Sequence, residues 1–156
     1  MTMLTDEIRR EIEMEALAYR VKRGACIDAL RIVQRHRGWV ADESLREIAA
    51  LLDMTPDEVD SVATFYNLIH RRPVGRHVIR ICASASCWVM GYERILEHIE
   101  DRLGIRPGET TSDGRFTLIP NQCLGACDHA PAFMIDDDLY RDVDADAVDG
   151  ILERYR

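Results

Sequence analysis

Apolar residues recur at helical spacing through the first part of the chain and in shorter strand-like runs through the second. Ile8, Ile12, Met14, Ala16 and Leu17 predict an amphipathic helix that ends before Gly24. A second helix is expected from Ala25 to about Arg37, with Cys26, Ala29, Leu30 and Val33 on one face and Gly38 as its stop. Asp42 is a candidate N-cap for a third, Glu43 to Leu52. Thr55-Pro56-Asp57-Glu58 joins a capping threonine, a proline at the first helical position and a capping-box glutamate three residues on. The helix it opens is expected to reach about Leu68.

At Pro73-Val74-Gly75 the pattern changes. His77 to Cys82 reads as a half-buried strand, and Gly91 to Leu103 as a helix with Ile95, Leu96, Ile99 and Leu103 inward. Asp113-Gly114 marks a turn before a strand from Arg115 to Ile119. Ala132 to Ile135 and Leu139 to Val143 read as two more strands, and Asp144 caps a last helix holding Val148, Ile151 and Leu152. The expected fold class is α/β (α+β). Residues 1–72 form a helical subdomain, and residues 73–156 a β-α-β-β-β-α layer of helices on a mixed sheet.

Composition narrows the function classes. A chain of 156 residues builds a core without disulfide staples. The first twenty residues are charged throughout, with no apolar run of the kind a signal peptide needs, and no stretch approaches the roughly 18 apolar residues of a membrane span. A cytoplasmic chain able to dock on a membrane-bound assembly is expected, without direct insertion. The formal charge is −8, and seven aspartates fall between Asp136 and Asp149. That field disfavours nucleic acid and anionic lipid. His70 to His77, HRRPVGRH, is the one basic patch: a solvated loop or a docking surface for an acidic partner.

The chemistry sits in the cysteines. Cys82 and Cys87 form a C-x4-C pair, Cys123 and Cys127 a C-x3-C pair, each beginning near the end of an expected strand. Small or flexible spacers let the side chains curl toward a common point, and Gly125 permits a left-handed turn that faces N–H groups toward sulfur. Four thiolates suit an iron–sulfur cluster or a structural zinc, and on spacing alone both stand. Disulfides are disfavoured without an export signal. Cys26, on an apolar helical face, reads as core.

Several segments together carry a resemblance: RIVQRHRGWV (31–40), VATFYNLI (62–69), PVGRHVIRIC (73–82), Gly91-Tyr92, TTSDGRFTLIP (110–120) and CLGACDHAP (123–131). In this order they resemble the thioredoxin-like [2Fe–2S] ferredoxins, in particular the E-type subunits of bacterial NADH–quinone oxidoreductase, respiratory complex I. The resemblance implies a thioredoxin-like second domain and one [2Fe–2S] cluster held by Cys82, Cys87, Cys123 and Cys127. It implies a partner, an F-type flavoprotein subunit that binds FMN and NADH, together with further peripheral-arm subunits and a place on the inner face of the plasma membrane. No stand-alone active site is expected on this chain, which lacks a nucleotide-binding G-x-G-x-x-G. Related small subunits of soluble NAD-linked hydrogenases or formate dehydrogenases are the alternative. Trp88-Val89-Met90 and Asn121-Gln122 depart from the family's usual spacers, and burial by Trp88 and Met90 is expected to help set the potential.

Weaker signals are read blandly. Asp142, Asp144, Asp146 and Glu153 mimic a calcium loop but place Ala147 where the sharp turn needs glycine. His129 follows Cys127 closely, and with four cysteines at hand it is not expected as a ligand. Trp39, Phe65 and Tyr66 are expected to pack or to meet a partner. A cis bond is expected at Pro131, before a strand.

Overall fold

The computed structural model describes residues 4–155. The outer limits of the two expected ranges, residues 1 and 156, lie outside them. The chain divides into two compact units, one up to Pro73 and one from Val74 onward.

The first unit is helical. Helix α1 spans Asp6–Ala16, its N-terminus capped by the Thr5 hydroxyl, which accepts from the Ile8 N–H at 3.3 Å. Ile8, Ile12 and Ala16, four residues apart, are the buried stripe. Met14 and Leu17, expected on that face, lie outside it and are exposed. A 3₁₀ turn at Lys22–Ala25 leads into α2, Cys26–Arg37, which buries Cys26, Ala29, Leu30 and Val33 and stops at Gly38 with φ 81°.

Helix α3 spans Asp42–Leu51 and begins one residue earlier than the sequence suggests. Ala41 takes the cap position, and Asp42 is free to accept from the Arg71 guanidinium at 2.6 Å. Arg71 also bonds Asp60 at 2.9 Å and the Val40 carbonyl, so the first arginine of the basic patch is an internal clamp. Helix α4, Pro56–Phe65, carries the full capping box. It stops three residues short of the expected Leu68. Tyr66 turns extended, and a turn closed by Ile69 N–H on the Tyr66 carbonyl drops Ile69 back into the core.

The second unit is a four-stranded mixed sheet in the order β2-β1-β3-β4 with helices against it. Its elements are β1 His77–Cys82, α5 Ala85–Val89, α6 Tyr92–Leu103, β2 Phe116–Asn121, β3 Phe133–Ile135, β4 Asp138–Tyr140 and α7 Ala145–Leu152. Strand β1 runs parallel to β2 and antiparallel to β3, which pairs antiparallel with β4. Ile79 and Ile81 share the core with Ile95 and Ile99 of α6, Phe116, Phe133, and Val148 and Ile151 of α7. Alternation places Val78, Arg80 and Cys82 on the opposite face.

That opposite face corrects one expectation. β1 is interior to the sheet and buried on both sides, not half-buried. Arg80, the polar residue that suggested a wet face, is only 6% exposed, and its guanidinium donates to the Asp136 carbonyl at 3.2 Å. Asp144 caps α7 as expected, accepting from the Ala147 N–H at 2.9 Å. The Ala130–Pro131 peptide is cis.

Candidate metal centre

Parallel pairing brings the two cysteine pairs to one place. Cys82 ends β1 in register with Asn121, the last residue of β2, so both strands end at the same edge of the sheet. Cys87 follows on α5 from one strand end, and Cys123 and Cys127 follow on the loop from the other. This carboxyl end of parallel strands is where open α/β sheets place their ligands. The loops are knitted by Ala83 N–H donating to the Asn121 carbonyl at 2.8 Å, Cys82 N–H to the Ala132 carbonyl at 3.2 Å, and the Asn121 side-chain amide to the Cys123 carbonyl at 3.1 Å.

Within the second pair the thiols meet, with Cys123 Sγ and Cys127 Sγ 3.6 Å apart. Two thiolates at about 2.3 Å from one tetrahedral metal stand about 3.8 Å apart, so the Cys123–Cys127 spacing is that of one tetrahedral edge. Between them Gly125 takes φ 77° and points its N–H at Cys123 Sγ, 3.3 Å away. The Ser84 hydroxyl lies 3.3 Å from Cys82 Sγ.

These surroundings polarise the thiols differently. Burial alone would raise the Cys82 pKa, but the Ser84 hydroxyl and N–H, the Cys87 thiol and the Leu124 N–H outweigh it and hold Cys82 below the ordinary thiol range. Burial pushes Cys87 up to about 11, helped by the thiol of Cys82. Cys127 is raised by its hydrogen bond to Cys123 and then by their mutual repulsion. Cys82 and Cys87 are buried, while Cys123 and Cys127 are exposed, so the candidate centre has one wet side.

Other sequence candidates fall elsewhere. Cys26 lies in the helical core, where burial raises its thiol pKa. His129 is held by Asp142, Nδ1 to Oδ2 at 2.8 Å, and His77 by Asp136 at 2.7 Å. Of the calcium-like aspartates, Asp142 makes that histidine contact, Asp144 caps α7 and Asp146 lies in its first turn. Trp88, Val89 and Met90, expected to bury the centre, stand 60%, 74% and 54% exposed. The reason is α5: Cys87 takes its buried side, and the helix turns the next three side chains outward. By residue type Ala83–Ser86 is a small, flexible spacer, a pattern that does not show the contact of the Ser84 hydroxyl with Cys82 Sγ. A serine at Ser84, just before a short run of helix-tolerant residues, is the signal that points to α5.

The profile of the thioredoxin-like [2Fe–2S] ferredoxin family matches residues 12–156. The E subunit of the NADH-quinone oxidoreductase of Pseudomonas aeruginosa is 49% identical over 153 residues, which cover 98% of this chain and 92% of that protein. Its counterpart in Escherichia coli K12 is 49% identical over 148 residues, 95% of this chain and 89% of that protein. Among solved structures, an NAD+-reducing [NiFe]-hydrogenase in the air-oxidized state matches 84% of this chain and 22% of its own, with a TM-score of 0.71 and 24% identity. That last likeness speaks to the fold.

Proposed function

The chain belongs to the thioredoxin-like [2Fe–2S] ferredoxin family, together with the E subunits of NADH-quinone oxidoreductases, and from that premise we propose that it is the [2Fe–2S] electron-transfer subunit of such an oxidoreductase. Cys82, Cys87, Cys123 and Cys127 hold one cluster. The supporting observation is their gathering as two thiol pairs at the shared end of β1 and β2, with Cys123 and Cys127 one tetrahedral edge apart. Two irons, each taking one pair, fit that arrangement better than a single zinc. Among the described residues no three His, Cys, Asp or Glu side chains are grouped to hold one ion.

When bound, the cluster supplies a one-electron couple. The chain's own residues hold it, donate hydrogen bonds to its ligand sulfurs and leave one side open. Hydride chemistry belongs to the partner, an F-type flavoprotein that binds FMN and NADH. The open side faces that partner. Trp88, Val89 and Met90 form an exposed apolar knob directly after Cys87. A cleft of about 400 Å³ beside it is lined by Met90, Arg94, Pro131, Val143 and Asp146. Exposed apolar side chains beside a polar rim suit a protein interface.

Residues 74–155 are the cluster-bearing domain, and the helical unit up to Pro73 is a separate scaffold for further peripheral-arm subunits. The complex sits on the inner face of the plasma membrane. No helix among the described residues is long and apolar enough to cross a membrane. A soluble hydrogenase or formate dehydrogenase is the second reading. The 49% identity to an E subunit over nearly the whole chain favours the first.

Iron, sulfide and zinc analysis with visible absorption and EPR of the reduced protein tests the assignment. Two irons, two sulfides and a reducible chromophore per chain are expected, whereas one zinc and no chromophore would sink it. Subunits that co-purify from the native membrane then distinguish the respiratory complex from a soluble hydrogenase.

A further inference from the structure

Ser84 precedes α5 with the extended backbone of a helix N-cap, φ −85° and ψ 170°. A serine there ordinarily turns its oxygen onto an N–H of the first turn. Ser84 makes no such bond. Its hydroxyl lies 3.3 Å from Cys82 Sγ. The short spacer between Cys82 and Cys87 thus places a hydroxyl on the sulfur of a candidate ligand.

Between a hydroxyl and a free thiol, either group can donate. A cysteine sulfur bound to iron has no proton, which leaves the serine as the donor. A hydrogen bond to sulfur strengthens as the sulfur becomes more negative. Reduction adds one electron, and part of its charge reaches the ligand sulfurs. The hydroxyl therefore stabilises the reduced state more than the oxidised one. The Gly125 N–H on Cys123 acts in the same sense but belongs to the backbone, so side-chain substitution leaves it in place.

We propose that Ser84 is a tuning residue whose hydroxyl, donating to Cys82, raises the reduction potential of the cluster. One electron enters from the partner's reduced flavin, and no proton leaves the serine. This rests on the cluster reading above.

The test is a redox titration of the cluster-loaded full chain, followed by EPR, alongside Ser84→Ala, Ser84→Gly and Ser84→Thr. Ser84→Ala is expected to retain its iron and sulfide and to titrate at a more negative midpoint than the parent. Ser84→Thr keeps a hydroxyl and is expected to return toward the parent value. Glycine is well tolerated before a helix, so Ser84→Gly stays informative even where Ser84→Ala takes up no iron. An unmoved midpoint in either hydroxyl-free variant with the cluster intact overturns the inference and leaves the cluster reading standing. A parent chain that binds no iron and sulfide overturns both.

Discussion

Cys82 stands in register with Asn121 across the parallel pair β1–β2, so the loops carrying the other three candidate ligands leave the sheet at a common end. One pair is buried and the other exposed. A buried pair fixes the centre in the protein, and an exposed pair lets a donor approach it.

The two kinds of cysteine are expected to separate cleanly under substitution. Cys123→Ser should bleach or distort the visible and EPR spectra of the cluster. Cys26→Ser should leave both unchanged, because Cys26 packs among Leu30, Val33 and their neighbours in the helical core. An EPR signal lost from Cys26→Ser would mean that the ligand set is a different one.

Gly125 offers a test of loop geometry separate from ligation. At φ 77° a side chain is strained, yet a Cβ there would meet nothing within 4 Å. The cost of Gly125→Ala is then the left-handed backbone alone, about 1 kcal/mol, and asparagine should cost less. Denaturant titration of the loaded protein, scored by loss of the visible bands, should order the three as Gly, Asn, Ala. Equal midpoints would mean that the loop adopts φ < 0.

The exposed knob should matter for association and not for the cluster. Trp88→Ser is expected to weaken binding to the proposed flavoprotein partner by about tenfold or more, as for a central aromatic anchor, with the EPR spectrum unchanged. Binding measured by calorimetry that matches the parent would move the interface elsewhere.

The capping box of α4 makes a pH prediction. The Glu58 carboxylate accepts from the Thr55 N–H at 2.9 Å and from Arg23 at 2.6 Å, and these bonds hold its pKa below the usual 4.5. A carboxyl with a lower pKa folded than unfolded stabilises the fold above its unfolded value, and the effect fades as pH falls through the folded value. Thermal melts followed by circular dichroism should therefore lose stability as the pH drops below 4.5, and less steeply in Glu58→Gln. Coincident acid slopes would show that the box adds nothing.

The helices and their ends were legible in sequence where local chemistry governs them. Thr55 with Glu58, Gly38, and Asp144 with its α7 cap all act within one turn, and each does what its residue type allows. The candidate ligands were legible for a related reason: four thiols in two short-spaced pairs have few other uses in such a chain.

The remaining features were set by contacts far apart in the chain. Asp42 is claimed by Arg71, twenty-nine residues away, and so does not cap α3. Arg80 is polar and yet buried, because Asp136, fifty-six residues on, supplies a carbonyl for it. Trp88 and Met90 face solvent because Cys87 fixes the inner side of α5. Sequence alone determined which atoms can bind metal and where the chain turns, since both depend on neighbours within a few residues. Only the tertiary structure decided that the two pairs share one end of the sheet, which hydroxyl reaches them and which side stays open. Those depend on strand register and burial, which bring together residues that the chain keeps apart.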